Sequence, residues 1–170
     1  GVIYGMSAFR LSKDLGIPLA RAKGFIGSYF ERYPSIRGYM DRILESAREL
    51  GYVETMLGRR RYLPELNSKN HNARQQAERM AVNTPIQGSA AEIVKLAMIE
   101  CVNEIEELDA HLVLQVHDEL IFEVVADQVD ITREKVVHAM ENVMPLRVPL
   151  VADIGIGTTW DRMDQARRGK

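Results

Sequence analysis

Cysteine is almost missing: of 170 residues only Cys101 carries a thiol, so no disulfide can form within the chain. That cysteine sits in the apolar-periodic stretch 93–105, which reads as a buried, inert thiol and not as a nucleophile. No run of about 18 apolar residues occurs, so no membrane-crossing helix is expected. The N-terminus lacks the basic-then-apolar layout of a secretory leader. The four histidines, His71, His111, His117 and His138, are scattered and show no zinc spacing. There is no low-complexity tract and no internal repeat. With 46% apolar residues the chain can bury one real core, and a soluble, cytoplasmic globular protein is the expectation.

The formal net charge of -2 hides a segregation. Residues 1–80 carry 14 Lys and Arg against 8 Asp and Glu, a balance of +6, while residues 81–170 carry 8 against 16, a balance of -8. This points to a polyanion-binding surface in the first half and to carboxylates able to hold cations in the second.

The opening stretch "GVIYGMSAFRLSKDLGI" has no helix start signal, so the chain is expected to open inside a helix that Gly16 stops. Pro18 suits the start of a second helix, Leu19 to Arg32, and a third is expected from about Ser35 to Leu50, ended by Gly51. "YVETMLGRRRYLPEL" reads as a small hairpin or loop carrying Arg59, Arg60 and Arg61. From about Asn72 to Leu108 the pattern is helical again. Thr84 and Pro85 interrupt it, so either a kink or a junction of two helices is expected there. A helix from roughly Gln128 to Met144, a last strand within Val148 to Gly157 and a polar tail from Asp161 complete the chain.

In "LQVHDELIFEV" three ionisable residues, His117, Asp118 and Glu119, interrupt two apolar runs. Strand alternation puts Leu112, Leu114 and Val116 on one face, and Leu120, Phe122 and Val124 on another that must meet it. A three-residue connection would pair Val116 with Leu120. A two-residue turn at His117 and Asp118 would instead oppose Val116 to Glu119. The longer turn is the expectation; in both, Asp118 sits at a hairpin tip from which a carboxylate can hold a metal ion.

"QVHDELIFEV" resembles the C-terminal motif of family A DNA polymerases, the bacterial DNA polymerase I type. "GVIYGMS" resembles the end of that family's closing fingers helix, "RMAVNTPIQGSAAEIVKLAMI" its long fingers-to-palm helix, and "YVETMLGRRRYLPELNSKN" the segment between. These motifs cover nearly the whole chain in the right order. The related single-subunit RNA polymerases typically carry serine where this chain has Glu119, which favours a DNA polymerase. The implied fold is α+β: part of a helical fingers region over 1–71 with a basic loop at 52–63, a long kinked helix over 72–108, a palm hairpin, helix and final strand over 109–160, and the tail 161–170. Hairpin and final strand are expected to share one antiparallel sheet.

The resemblance implies transfer of dNTPs to the 3′-hydroxyl of a primer on a DNA template, in replication or repair. Asp118 is then a catalytic residue and ligand of a two-Mg2+ site, with Glu119 in a nearby catalytic role. His117 is implied to touch the primer end and Tyr4 to stand beside the templating position, where Gly5 leaves room. Arg79, Asn83 and Gln87, spaced by four, fall near one helix face. As hydrogen-bond donors they would test base-pair geometry in the minor groove without reading sequence. Arg59 is implied to meet backbone phosphates.

The triphosphate-binding Lys and Arg and the other metal-binding aspartate of the family are expected upstream of Gly1. This implies a fragment that is inactive alone, that holds no ordered Mg2+ by itself, and that exposes apolar surface for its missing N-terminal part or for self-association. The competing expectation is a non-catalytic DNA-binding module. A metal-dependent hydrolase is weaker, because no second cluster of ligand-type residues accompanies the triplet.

Overall fold

The computed structural model describes residues 1–166. The chain divides into two compact units, residues 1–90 and 91–170, with the boundary inside a long helix. The architecture is α+β, rich in helix, with three separate antiparallel strand pairs among the described residues.

The first unit does not open inside a helix. Val2–Tyr4 form a 3-10 turn, Gly5 turns left-handed at φ 75, and helix α1, Ala8–Leu15, starts afresh. Its start signal is Ser7, whose hydroxyl accepts the Arg10 N–H at 3.2 Å; a capping serine outweighs continuity of the apolar pattern. Helix α2 spans Leu19–Arg32 and α3 spans Pro34–Leu50, closed by Gly51 at φ 78, where only glycine avoids a Cβ penalty. Strands β1, Tyr52–Glu54, and β2, Arg60–Tyr62, form the hairpin, pairing Val53 with Arg61 and Glu54 with Arg60.

Helix α4, His71–Glu104, runs 34 residues with Pro85 inside it, so the two-helix alternative does not occur. Its first part packs Ala77 and Ala81 against Ala47, Val53, Leu63 and Leu66. Full burial of a leucine such as Leu66 contributes roughly 1.5–3 kcal/mol.

In the second unit the later part of α4 supplies Cys101, and Ile105 just past its end joins it, in a core completed by Ala110, Val136 and Ala139. Val136 and Ala139 come from helix α5, Val129–Asn142. Strands β3, Ala110–Val116, and β4, Glu119–Val124, lay Leu120, Phe122 and Val124 on this core. The expected three-residue turn is wrong: Val116 pairs with Glu119, leaving His117 and Asp118 as a two-residue turn. The cause is a bulge between Leu112 and Leu114. One extra residue shifts the alternation, so Leu112 opposes Phe122 while Leu114 opposes Ile121. Leu112, Leu114 and Val116 therefore do not share a face, and Leu114 is left exposed.

The final strand, β5, is also shorter than expected and pairs elsewhere. It covers Ile154–Ile156 and pairs with β6, Asp164–Ala166, so hairpin and final strand lie in different sheets. Pro149 cannot donate to a ladder, and the Ala152 N–H goes to the Glu141 side chain at 3.0 Å instead of to a strand. Gly157 then lets the chain double back, since a Cβ there would collide with the Arg162 carbonyl. Of the expected polar tail, residues 161–166 carry a 3-10 turn and β6; residues 167–170 lie outside the described residues.

Candidate nucleic-acid interface and carboxylate tip

On α4, Arg79, Asn83 and Gln87 line one open groove of about 600 Å³, together with Arg61 of β2. Gln76, Met80, Thr84 and Gly88 complete the lining. Arg61 Nη1 donates to Thr84 Oγ1 at 3.4 Å, and its Nη2 lies 3.3 Å from Met80 Sδ. Arg79 Nη1 donates to Gln75 Oε1 at 3.2 Å. The Asn83 carboxamide oxygen is buried without a partner. The groove thus combines two guanidinium groups with three carboxamides, a donor-rich surface.

Arg79 also borders a second cleft, of about 390 Å³, with Tyr4, Gly5, Met6, Ser7 and Arg10. Gly5 is needed twice over here: its φ is 75, and a Cβ would stand 3.2 Å from Arg79 Cγ. Arg79 is the side chain that approaches Gly5 closely. Tyr4 is half-exposed at this edge. Arg10 is held by Asp14 at 2.8 Å, which raises its guanidinium pKa further.

The three adjacent arginines separate by strand alternation. Arg60 points away from the groove, paired with Glu54 at 2.6 Å and stacked 4.5 Å from the Tyr52 ring centre; the hydrogen bond to Glu54 raises its pKa. Arg59 lies in the turn, its backbone N–H bonded to Thr55 Oγ1 at 3.1 Å and its side chain exposed. Arg61 is the one that reaches the groove. The sequence grouped it with the basic loop but did not single it out, although a period of two from the buried Val53 side of the hairpin was the available signal.

In the second unit, His117, Asp118 and Glu119 are all exposed at the β3–β4 tip. His117 has φ 55, the one non-glycine residue with positive φ among the described residues, and its carbonyl accepts from Gln115 Nε2. Asp118 follows in the turn and Glu119 opens β4. Their carboxylates are hard oxygen donors of the kind Mg2+ takes. The donor type fits but the number is short: among the described residues no group of three or more His, Cys, Asp or Glu could hold a metal ion. Cys101 takes no part, buried in the core with its thiol pKa pushed up to about 11, chiefly by burial and then by Glu100 and Glu104.

The profile of DNA polymerase family A matches residues 1–162. The chain belongs to DNA polymerase family A. It is 49% identical over 160 residues to the thermostable DNA polymerase I of Thermus filiformis, covering 94% of this chain and 19% of that protein. The DNA polymerase I of Deinococcus radiodurans is also 49% identical over 160 residues, 94% of this chain and 17% of the relative. That of Pseudomonas aeruginosa is 48% identical over 163 residues, 95% and 18%. The chain therefore spans about a fifth of the length of these relatives. Among solved structures it is similar to the POL domain of Pol1 from M. smegmatis in complex with DNA primer-template and dNTP, with a TM-score of 0.91, 45% identity, and coverage of 95% of this chain and 29% of that one. For this family A chain no helix among the described residues is long and apolar enough to cross a membrane.

Proposed function

We propose that this chain serves template-directed DNA synthesis, the transfer of dNTPs to a primer 3′-hydroxyl, as part of the fingers and palm of a cytoplasmic polymerase, and that it is inactive without the remaining polymerase parts. The groove shared by Arg61, Arg79, Asn83 and Gln87 carries this reading. Donors from one rigid helix face the acceptors that every base pair presents in the minor groove, so a duplex is held with indifference to sequence. Arg59 and Arg61 meet backbone phosphates, which fix position without specifying bases. Tyr4 borders the cleft beside the templating base. The complex of the M. smegmatis neighbour with DNA primer-template and dNTP supports these partners.

At the carboxylate tip Asp118 would hold Mg2+, Glu119 would support it, and His117 positions the primer end. When bound with substrate phosphates and a further carboxylate, Mg2+ supplies charge neutralisation at the hydroxyl and the triphosphate. Asp118 presents its charge from a turn fixed by strand register, so little reorganisation is needed. The exposed Phe9, Val113 and Leu114 are suited to packing against the other polymerase parts or a second copy. The shortage of ligands at the tip favours one rival, a non-catalytic DNA-binding module.

The deciding experiment is single-turnover incorporation beside DNA affinity at fixed salt, in the full-length protein. Asp118→Asn keeps volume and hairpin packing while removing charge; a loss of about 4 kcal/mol of transition-state stabilisation slows incorporation roughly a thousandfold. Duplex affinity is expected to stay unchanged. Incorporation within about tenfold of wild type would sink the metal assignment. A wild type that binds duplex yet incorporates nothing would establish the binding module.

A further inference from the structure

The turn between β1 and β2 is fastened to α4 by groups outside the set already given a role. Met56 donates its backbone N–H to Ser89 Oγ at 2.8 Å, and the Ser89 hydroxyl donates in turn to the Pro85 carbonyl at 2.5 Å. Ser89 is only 4% exposed, so this bond is shielded from water. Beside it Thr55, 7% exposed, organises the turn. Its Oγ1 accepts the Arg59 N–H at 3.1 Å, its own N–H reaches the Arg59 carbonyl at 3.0 Å, and its carbonyl accepts the Gly58 N–H at 3.0 Å.

The methyl of Thr55 fills the space in front of Gly88. A Cβ on Gly88 would stand 2.6 Å from Thr55 Cγ2, far inside contact distance. The methyl cannot swing aside alone: rotation about the single Thr χ1 carries Oγ1 with it, away from the Arg59 N–H. Gly88 lies within α4 and has no left-handed backbone to explain it. A glycine in a helix interior is unfavourable relative to alanine, so close approach of the turn is what accounts for the residue.

What this docking holds in place is Arg61. Arg61 pairs with Val53, which is 5% exposed and faces the core, so both residues stand on the α4 side of the hairpin. There the guanidinium reaches Thr84 and the groove. A displacement of the turn by the width of a methyl group moves that cation relative to Arg79, Asn83 and Gln87.

We propose that Gly88 and Ser89 are positioning residues that lock the β1–β2 turn onto α4 and thereby hold Arg61 at the spacing a duplex phosphate requires. The inference rests on the duplex-binding reading above. It predicts that the turn and the groove behave as one unit toward DNA, although neither Gly88 nor Ser89 supplies a charge.

The test is the salt dependence of primer-template affinity in the full-length protein, together with hydrogen exchange at the Met56 amide without DNA. Arg61→Ala should lower the slope of log K against log salt by about 0.9, the loss of one phosphate contact. Gly88→Ala should lower it by the same amount, and the double variant no further. Ser89→Ala should speed Met56 exchange and reduce the slope, with Ser89→Thr restoring both. This hydroxyl pair keeps the question answerable if Gly88→Ala does not fold. The proposal is overturned if Ser89→Ala keeps the wild-type slope, if Gly88→Ala and Arg61→Ala lower it additively, or if Arg61→Ala leaves it unchanged. Should the wild type ignore duplex altogether, the functional reading fails. Met56 exchange then still decides whether the docking exists, and unaltered exchange in Ser89→Ala overturns it.

Discussion

Two hairpins carry the chain's opposite charges, and they are held by different means. The basic one, β1–β2, is fastened from outside: Ser89 takes the Met56 N–H, Thr55 meets Gly88, and Arg61 lies on Thr84. The acidic one, β3–β4, is held at its tip by its own register, a two-residue turn with His117 at φ 55 and a bond from Gln115 to the His117 carbonyl. The proposed phosphate contact needs several cations at fixed spacing, which calls for support from a neighbouring helix. The proposed metal contact of one carboxylate needs only a stiff turn.

The cores below the hairpins offer the largest lever on this contrast. Leu66, 1% exposed, lies under the basic hairpin, and Leu66→Ala should cost about 3 kcal/mol of stability through the cavity it leaves. Urea unfolding measures this. A loss under about 1 kcal/mol would mean that the site collapses readily and that the basic hairpin lacks the support described.

Below the acidic hairpin, Cys101 gives a pH signature. The folded pKa is raised from 9.0 to about 11, so the neutral thiol is favoured by the fold. Its stabilising contribution is intact below pH 9.0 and is lost as pH rises to about 11, because the unfolded chain ionises first. The amount is about 3 kcal/mol, two pH units at about 1.4 kcal/mol each. Denaturation curves across that window should fall for wild type and stay flatter for Cys101→Ala. Rapid thiol alkylation of the folded protein at pH 8 would contradict the buried, raised thiol.

The basic groove itself should respond more modestly. Arg79→Ala is expected to weaken duplex binding about tenfold, or about 1.4 kcal/mol, to the same degree on unrelated sequences. Strong dependence of that loss on base sequence would replace geometry testing with direct readout. Smallest is His117→Gly, expected to raise stability by less than about 1 kcal/mol, because glycine tolerates the left-handed backbone that histidine strains to adopt. Incorporation should nevertheless fall if the imidazole positions the primer end. A variant that gains stability and keeps full activity would reduce His117 to a turn residue.

Much of the helical half was legible because its signals are local. Gly16 and Gly51 end helices by a backbone preference that needs no tertiary partner, and Arg79, Asn83 and Gln87 share a side because helical geometry places them there. The polar triplet was legible as a tip, since ionisable residues between apolar runs cannot stay inside a core. Less visible was Ser7, a capping signal hidden in an apolar pattern that ran on without it. Tertiary structure alone decided the rest. The register around Asp118 follows from the bulge at Val113, which keeps both Ala110 and Leu120 on the core of Cys101, Ile105 and Val136. The partner of β5 follows from Pro149, from the hold of Glu141 on Ala152 and from the room that Gly157 leaves. The choice of Arg61 among three arginines follows from the packing of its strand partner Val53 with Ala77 and Ala81 of α4, distant in sequence. Each of these is a competition among packings of similar local merit, and such competitions are won by contacts between segments distant in sequence.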